Sequence, residues 1–191
     1  VNKQQLRQGY LAKRRQLTDD EYQCLNLKLL AQFQQLDLST IRCAHLFLPM
    51  VQNREPDTYL IRDWLKENHR DIKIVFPKTD FRTLQMFSYA DDDDLVLEVN
   101  KYGITEPVAG NEIAAAEIDM VLLPMLIFDT RGYRVGYGKG FYDRFVELCR
   151  PDVQLTGLSL FKPVKNIDDV NRHDLRMQVC LTPGQLYNWP R

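Results

Sequence analysis

Neither sign of charge is in excess: 25 lysines and arginines face 26 aspartates and glutamates, a formal net charge of −1. That excludes the basic field a nucleic acid or an anionic membrane would need, so a charged ligand must be met by a local site. No apolar run approaches the roughly 20 residues of a membrane span, and the start, Val1-Asn-Lys-Gln-Gln, has no signal-peptide core. The expected location is the cytoplasm. Cys24, Cys43, Cys149 and Cys180 form no C-x-x-C pair, which excludes a zinc knuckle and a thioredoxin-like redox site and leaves four reduced thiols. Linker-like stretches are missing too, so residues 1–191 are expected to fold as one domain. No long apolar stripe is left over once core helices are assigned, and a monomer is expected.

What is present is an alternation of helix and strand patterns. Residues 3–16 read as a weakly amphipathic helix, with Leu6 and Tyr10 among Lys3, Arg7, Lys13, Arg14 and Arg15. Thr18-Asp-Asp-Glu21 is a capping box opening a helix whose stripe is Tyr22, Leu25, Leu29, Phe33 and Leu36. A strand at 43–48 leads into a loop from Pro49 to Pro56. Asp57 or Thr58 then caps a helix carrying Leu60, Ile61, Trp64 and Leu65. Ile72–Phe76 reads as a strand stopped by Pro77, Leu84–Tyr89 as another, and Ile118–Phe128 as one buried central strand. Asp91–Asp94 reads as a hydrated loop or helix start. The pattern as a whole predicts an α/β fold: an open, mostly parallel sheet with helices on both faces.

The densest chemistry lies in Gly132-Tyr-Arg-Val-Gly-Tyr-Gly-Lys-Gly-Phe-Tyr-Asp-Arg144. Gly136, Gly138 and Gly140 alternate around Lys139 and run into a helical pattern of Phe141, Tyr142, Phe145, Val146 and Cys149. Glycine lets a backbone approach a ligand closely, and exposed N–H groups ahead of a helix attract an anion. Lys139 and Arg134 add full charges. The spacing is neither that of a P-loop nor that of the dinucleotide fingerprint. It reads as a phosphate cradle, with a plain glycine-rich turn as the bland alternative. A loop between a buried strand and a helix is also where open α/β sheets bind ligands.

The stretch Leu123–Arg144 closely resembles the signature of the 5-formyltetrahydrofolate cyclo-ligase (methenyltetrahydrofolate synthetase) family. Further landmarks follow the family order: Lys3 and Arg7, Glu55-Pro-Asp-Thr58, Pro77, Gly103-Ile-Thr-Glu-Pro107, and His173-Asp174 before Thr182-Pro183. The resemblance implies a Rossmann-like three-layer sandwich. It also implies an ATP- and Mg2+-dependent closure of 5-formyltetrahydrofolate to 5,10-methenyltetrahydrofolate through phosphorylation of the formyl oxygen, with release of ADP and phosphate. Carried over residue by residue, it assigns the nucleotide to Lys3, Arg7, Arg134, Gly136, Tyr137, Gly138, Lys139, Gly140, Phe141 and Tyr142. Of these, Lys139 and Arg134 face the transferred phosphoryl. The folate falls to Met50, Glu55 and Tyr102, the metal to Asp143 and Asp174, and His173 is expected to orient Asp174. Many family members carry a second aspartate where this chain has Gln178. Two other readings compete: a sugar-phosphate isomerase-like phosphate-binding enzyme without nucleotide use, in which Lys3 and Arg7 would have no work, and a non-catalytic nucleotide- or folate-binding protein, against which Lys139, Asp143 and Asp174 together argue.

Overall fold

The structure is a computed structural model that describes residues 1–101 and 103–190. The chain opens with α1 (Lys3–Arg15), started by a capping box between Asn2 and Gln5. Thr18 and Glu21 form the expected second box, on α2 (Asp19–Phe33). After β1 (Cys43–His45) and a 3-10 turn at Val51–Asn53, Asp57 caps α3 (Thr58–Asn68) by accepting from the N–H of Tyr59. The strands β2 (Lys73–Asp80), β3 (Gln85–Ala90), β4 (Val96–Val99), β5 (Thr105–Ala109), β6 (Glu112–Ile113) and β7 (Met120–Leu123) follow with no α-helix between them. A short hairpin, β8 (Ile127–Phe128) and β9 (Arg134–Val135), precedes α4 (Phe141–Val146). β10 (Gln154–Leu158), β11 (Val179–Leu181) and β12 (Leu186–Asn188) complete the order.

The main sheet runs β12-β11-β10-β7-β1-β2-β3-β6. Its centre, from β11 to β2, is parallel, and antiparallel strands close both ends. Side chains alternate across it. Ala44, Leu46, Met120, Leu122 and Leu158 pack with Leu29 and Phe33 of α2 and Ile61 and Leu65 of α3. Cys43, Val121, Leu123 and Leu155 face the other way, under Phe145 of α4, Met125, Phe128 and Met177. The expected open α/β sheet with helices on both faces is therefore present, although loops share the second face with a single short helix.

Four expectations are corrected. Pro77 does not stop its strand. The N–H of Lys73 points towards β1, donating to the carbonyl of Arg42, so two-residue alternation puts the nitrogen of Pro77 on that side as well. It lies past the last residue paired with β1, where no ladder bond is lost. The run Ile118–Phe128 is two strands rather than one, because β7 ends before Pro124 and the chain turns into the β8–β9 hairpin. The helix after the glycine loop covers only Phe141–Val146, so its dipole contributes less to any anion site than a longer helix would. Asp91 is not simply hydrated: its nearly buried carboxylate takes Arg62 at 2.5 Å and Lys66 at 2.8 Å.

His45 is fully buried on β1, its ring 4.9 Å from that of Phe145 and edge-on to Tyr142 at 5.9 Å. Neither ring nitrogen has a hydrogen-bond partner among the described residues. Burial lowers its pKa from 6.5 to about 3, so the folded chain holds it neutral while the unfolded chain takes up a proton near pH 6.5. Stability from this residue is thus complete above about pH 6.5 and is lost as the pH falls towards 3, at up to about 1.4 kcal/mol per pH unit. His45→Leu is expected to flatten that part of the acid limb. Urea-denaturation profiles of the two proteins that stay parallel between pH 6.5 and 4 would contradict this.

Candidate active site

A cavity of about 550 Å3 opens where the loops leave the carboxyl ends of β1 and β7, beside the far half of β2. Open α/β sheets bind ligands at this edge. Its wall brings together Lys3, Arg7, Met50, Glu55, Arg134, Gly136, Tyr137, Gly138, Lys139, Gly140, Phe141, Tyr142, Asp143 and Asp174. Tyr102 lies outside the described residues. Residues separated by most of the chain length meet here because α1 lies across the β8–β9 hairpin, its Leu6 packed with Ile127, Val135 and Ile167. Asp129, fully buried, holds the hairpin turn by accepting from the backbone N–H groups of Arg131, Tyr133 and Ile167 and from the Arg131 guanidinium.

One side of the cavity is charged. Lys3 grips both oxygens of Asp174, at 2.6 and 2.5 Å, and the Asn171 N–H donates to the same carboxylate. Arg134 meets Asp143 at 3.2 Å. Arg7 donates from Nε to the carbonyl of Gly136 at 2.9 Å and lies against Gly138. Lys139 is exposed, and among the described residues its ammonium has no counter-ion. His173 does not reach Asp174: its Nε2 accepts from Arg172 at 3.1 Å. Gln178 lies away from the cavity on the far side of β10, its Oε1 accepting from the N–H of Leu155.

The other side is apolar with two carboxylates set into it. Phe47, Leu48, Pro77, Phe81, Met86, Ile104 and Phe141 line it, and the rings of Phe81 and Phe141 meet edge to face at 5.2 Å. Glu55 is 2% exposed. Its Oε2 accepts from the N–H of Met50 at 2.7 Å, which closes the 49–55 loop on itself, and its Oε1 has no hydrogen-bond partner among the described residues. Burial pushes its pKa up, while the Met50 N–H, Arg14 and Tyr137 oppose the rise. Tyr137 and Tyr142 are pushed above the usual phenol range by burial first and by Glu55 second.

Two residues of the site had no role in the sequence reading. Glu106 on β5 lines the cavity with one buried oxygen unpartnered; its place in the Gly103–Pro107 landmark was the available signal. Arg14, 1% exposed, lies under the cavity floor and donates to Asn53, Met125 and Tyr137. In the sequence it was only one of five cations on a weakly amphipathic helix, but it stands seven residues after Arg7, on the same helix face.

A glycine-rich loop with cations, facing an apolar wall with two carboxylates at the ligand-binding edge of an open α/β sheet, has the make-up of a small-molecule enzyme site. The model of the 5-formyltetrahydrofolate cyclo-ligase family matches residues 1–183, and the chain belongs to that enzyme family. It is 31% identical over 185 residues to the 5-formyltetrahydrofolate cyclo-ligase of Mycoplasma genitalium, covering 94% of this chain and 98% of that protein. The Mus musculus cyclo-ligase is 29% identical over 112 residues, 54% of this chain and 53% of the mouse protein. Two solved structures share the fold. A 5,10-methenyltetrahydrofolate synthetase from Mycoplasma pneumoniae has a TM-score of 0.76 at 21% identity, covering 96% of this chain and 99% of that one. That of Aquifex aeolicus has 0.74 at 23%, covering 97% and 92%. Membership in a folate cyclo-ligase family removes the reason for reading the glycine loop as an isomerase's phosphate site.

Proposed function

We propose that this chain closes 5-formyltetrahydrofolate to 5,10-methenyltetrahydrofolate at the expense of ATP. The observation that carries the reading is the division of one cavity into a cationic glycine-loop side and an apolar side with buried carboxylates. A formamide oxygen is a poor leaving group; once it has accepted the γ-phosphoryl group, N10 can attack the formyl carbon, lose its proton and expel phosphate. Phosphoryl transfer is chiefly positioning and charge stabilisation. Lys3, Arg7 and the Gly136–Gly140 backbone hold the nucleotide phosphates in this reading. Arg134 and Lys139 face the moving phosphoryl group, and Lys139 is free to do so because no carboxylate among the described residues holds it.

Asp143 and Asp174 suit a magnesium ion, a hard cation commonly held by one or two carboxylates plus phosphate oxygens. Both line the cavity beside the lysine and arginine proposed for the phosphates. Bound there, the ion would neutralise phosphate charge. Before ligands bind, Lys3 and Arg134 balance these two carboxylates.

The free oxygen of Glu55 accepts from the ring donors of the pterin, and Met50 lines the slot beside it. Glu106 offers a second acceptor to a folate N–H. The same reading takes residues 1–191 as one domain, a cytoplasmic monomer with unpaired thiols. Glu55→Gln is expected to weaken 5-formyltetrahydrofolate binding by about tenfold or more, since a charge-assisted bond is lost, and to leave ATP affinity within about threefold. Equal losses for the two ligands in calorimetry would contradict the assignment.

A further inference from the structure

Arg14 is a buried charge that contacts neither proposed ligand group directly, yet it touches the supports of both. Its Nε donates to the carbonyl of Asn53 at 2.6 Å, and one terminal nitrogen donates to the carbonyl of Met125 at 3.0 Å. The other donates to the hydroxyl of Tyr137 and stands 3.9 Å from Oε1 of Glu55. Asn53 lies two residues before Glu55, and Tyr137 lies between Gly136 and Gly138. One planar fork therefore spans the loop that carries the folate-facing carboxylate and the loop that carries the nucleotide. We propose that Arg14 is a positioning residue that couples the two half-sites, so that ordering the glycine loop around ATP fixes Glu55 for the folate, and the reverse. The inference rests on the proposed assignment of the two ligands.

The geometry favours coupling over simple scaffolding. A guanidinium presents its donors in a fixed plane, so Tyr137 cannot shift without turning the fork that also holds Asn53 and faces Glu55. Glu55 has few other charges to answer to. The groups around it are Tyr22 of α2, whose hydroxyl donates to the Glu55 carbonyl, Asp57 at the start of α3, Tyr137 of the glycine loop and Tyr142 of α4. Arg54, next in the chain, places its guanidinium over the Tyr22 ring and on Asp19. Removing Arg14 takes away a positive charge that opposes the effect of burial on Glu55, so the carboxyl would protonate at higher pH and stop accepting from the pterin.

The test is calorimetric titration of 5-formyltetrahydrofolate with and without a non-hydrolysable ATP analogue and magnesium, on wild type, Arg14→Lys, Arg14→Met and Tyr137→Phe. In wild type the analogue is expected to tighten folate binding about 5-fold or more, the lower end of ordinary coupling. In Arg14→Lys and Tyr137→Phe that factor is expected to fall towards one, with each ligand still binding alone. In Arg14→Met the pH below which folate affinity declines is expected to move upwards, a shift a purely structural residue would not cause. If Arg14→Met does not fold, the lysine and phenylalanine variants carry the test. Independent binding in wild type, or unchanged coupling in folded Arg14→Lys, would overturn the inference. Failure of wild type to bind ATP or folate at all would instead overturn the functional reading beneath it.

Discussion

Lys139→Ala is expected to lower kcat by about 100-fold or more, the scale of removing one preorganised charge-stabilising donor, while ATP affinity falls far less. Lys3, Arg134 and Arg7 all have partners inside the protein: Asp174, Asp143 and the Gly136 carbonyl. Lys139 lines the same cavity without such a partner among the described residues. Its ammonium can therefore follow the phosphoryl group from ATP to the formyl oxygen, and an interaction made mainly in the transition state changes turnover more than ground-state binding. Steady-state kinetics at saturating ATP decide the point. If excess nucleotide restores the variant to near wild-type turnover, Lys139 is only a tether.

Gly138→Val is expected to raise the KM for ATP by about 10- to 100-fold. Gly138 sits at φ +88°, and a Cβ there would lie 3.0 Å from one terminal nitrogen of Arg7 and 3.2 Å from its Cζ. A β-branched residue at positive φ carries a cost of about 1–3 kcal/mol, and relief of the clash pushes the Arg7 guanidinium away from Gly138, disturbing its bond to the Gly136 carbonyl. Both effects distort the cradle; at 1.4 kcal/mol per decade they convert to the stated range. Gly9→Ala, on α1 with nothing within 4 Å of the added carbon, is the control expected to keep wild-type kinetics. An unchanged KM for ATP in Gly138→Val would show that this backbone does not hold the nucleotide.

Features of the site carried by local backbone chemistry were legible in the sequence. The glycine spacing and the order of landmarks pointed to residues that the fold assembles around one cavity, and the Thr18–Glu21 capping box marked the start of α2. Features that depend on partners distant in the chain were not. Pro77 looked like a strand end because its neighbour β1 could not be known to finish first. Arg14 had no assigned role because its partners lie 39, 111 and 123 residues away. His173 and Asp174 are adjacent in sequence, yet the turn Asn171–Asp174 hands Asp174 to Lys3, 171 residues away. The apolar run 118–128 concealed a break because composition alone does not show where a buried chain turns.

Coupling of ATP use to folate ring closure in one cavity is tested most directly by incubating the purified protein with 5-formyltetrahydrofolate, ATP and magnesium, following the methenyl chromophore and ADP together. One ADP per methenyl product, with both abolished by excess chelator or by omission of ATP, is the predicted result; methenyl formation without ATP consumption, or ADP release that does not depend on the folate, would contradict it.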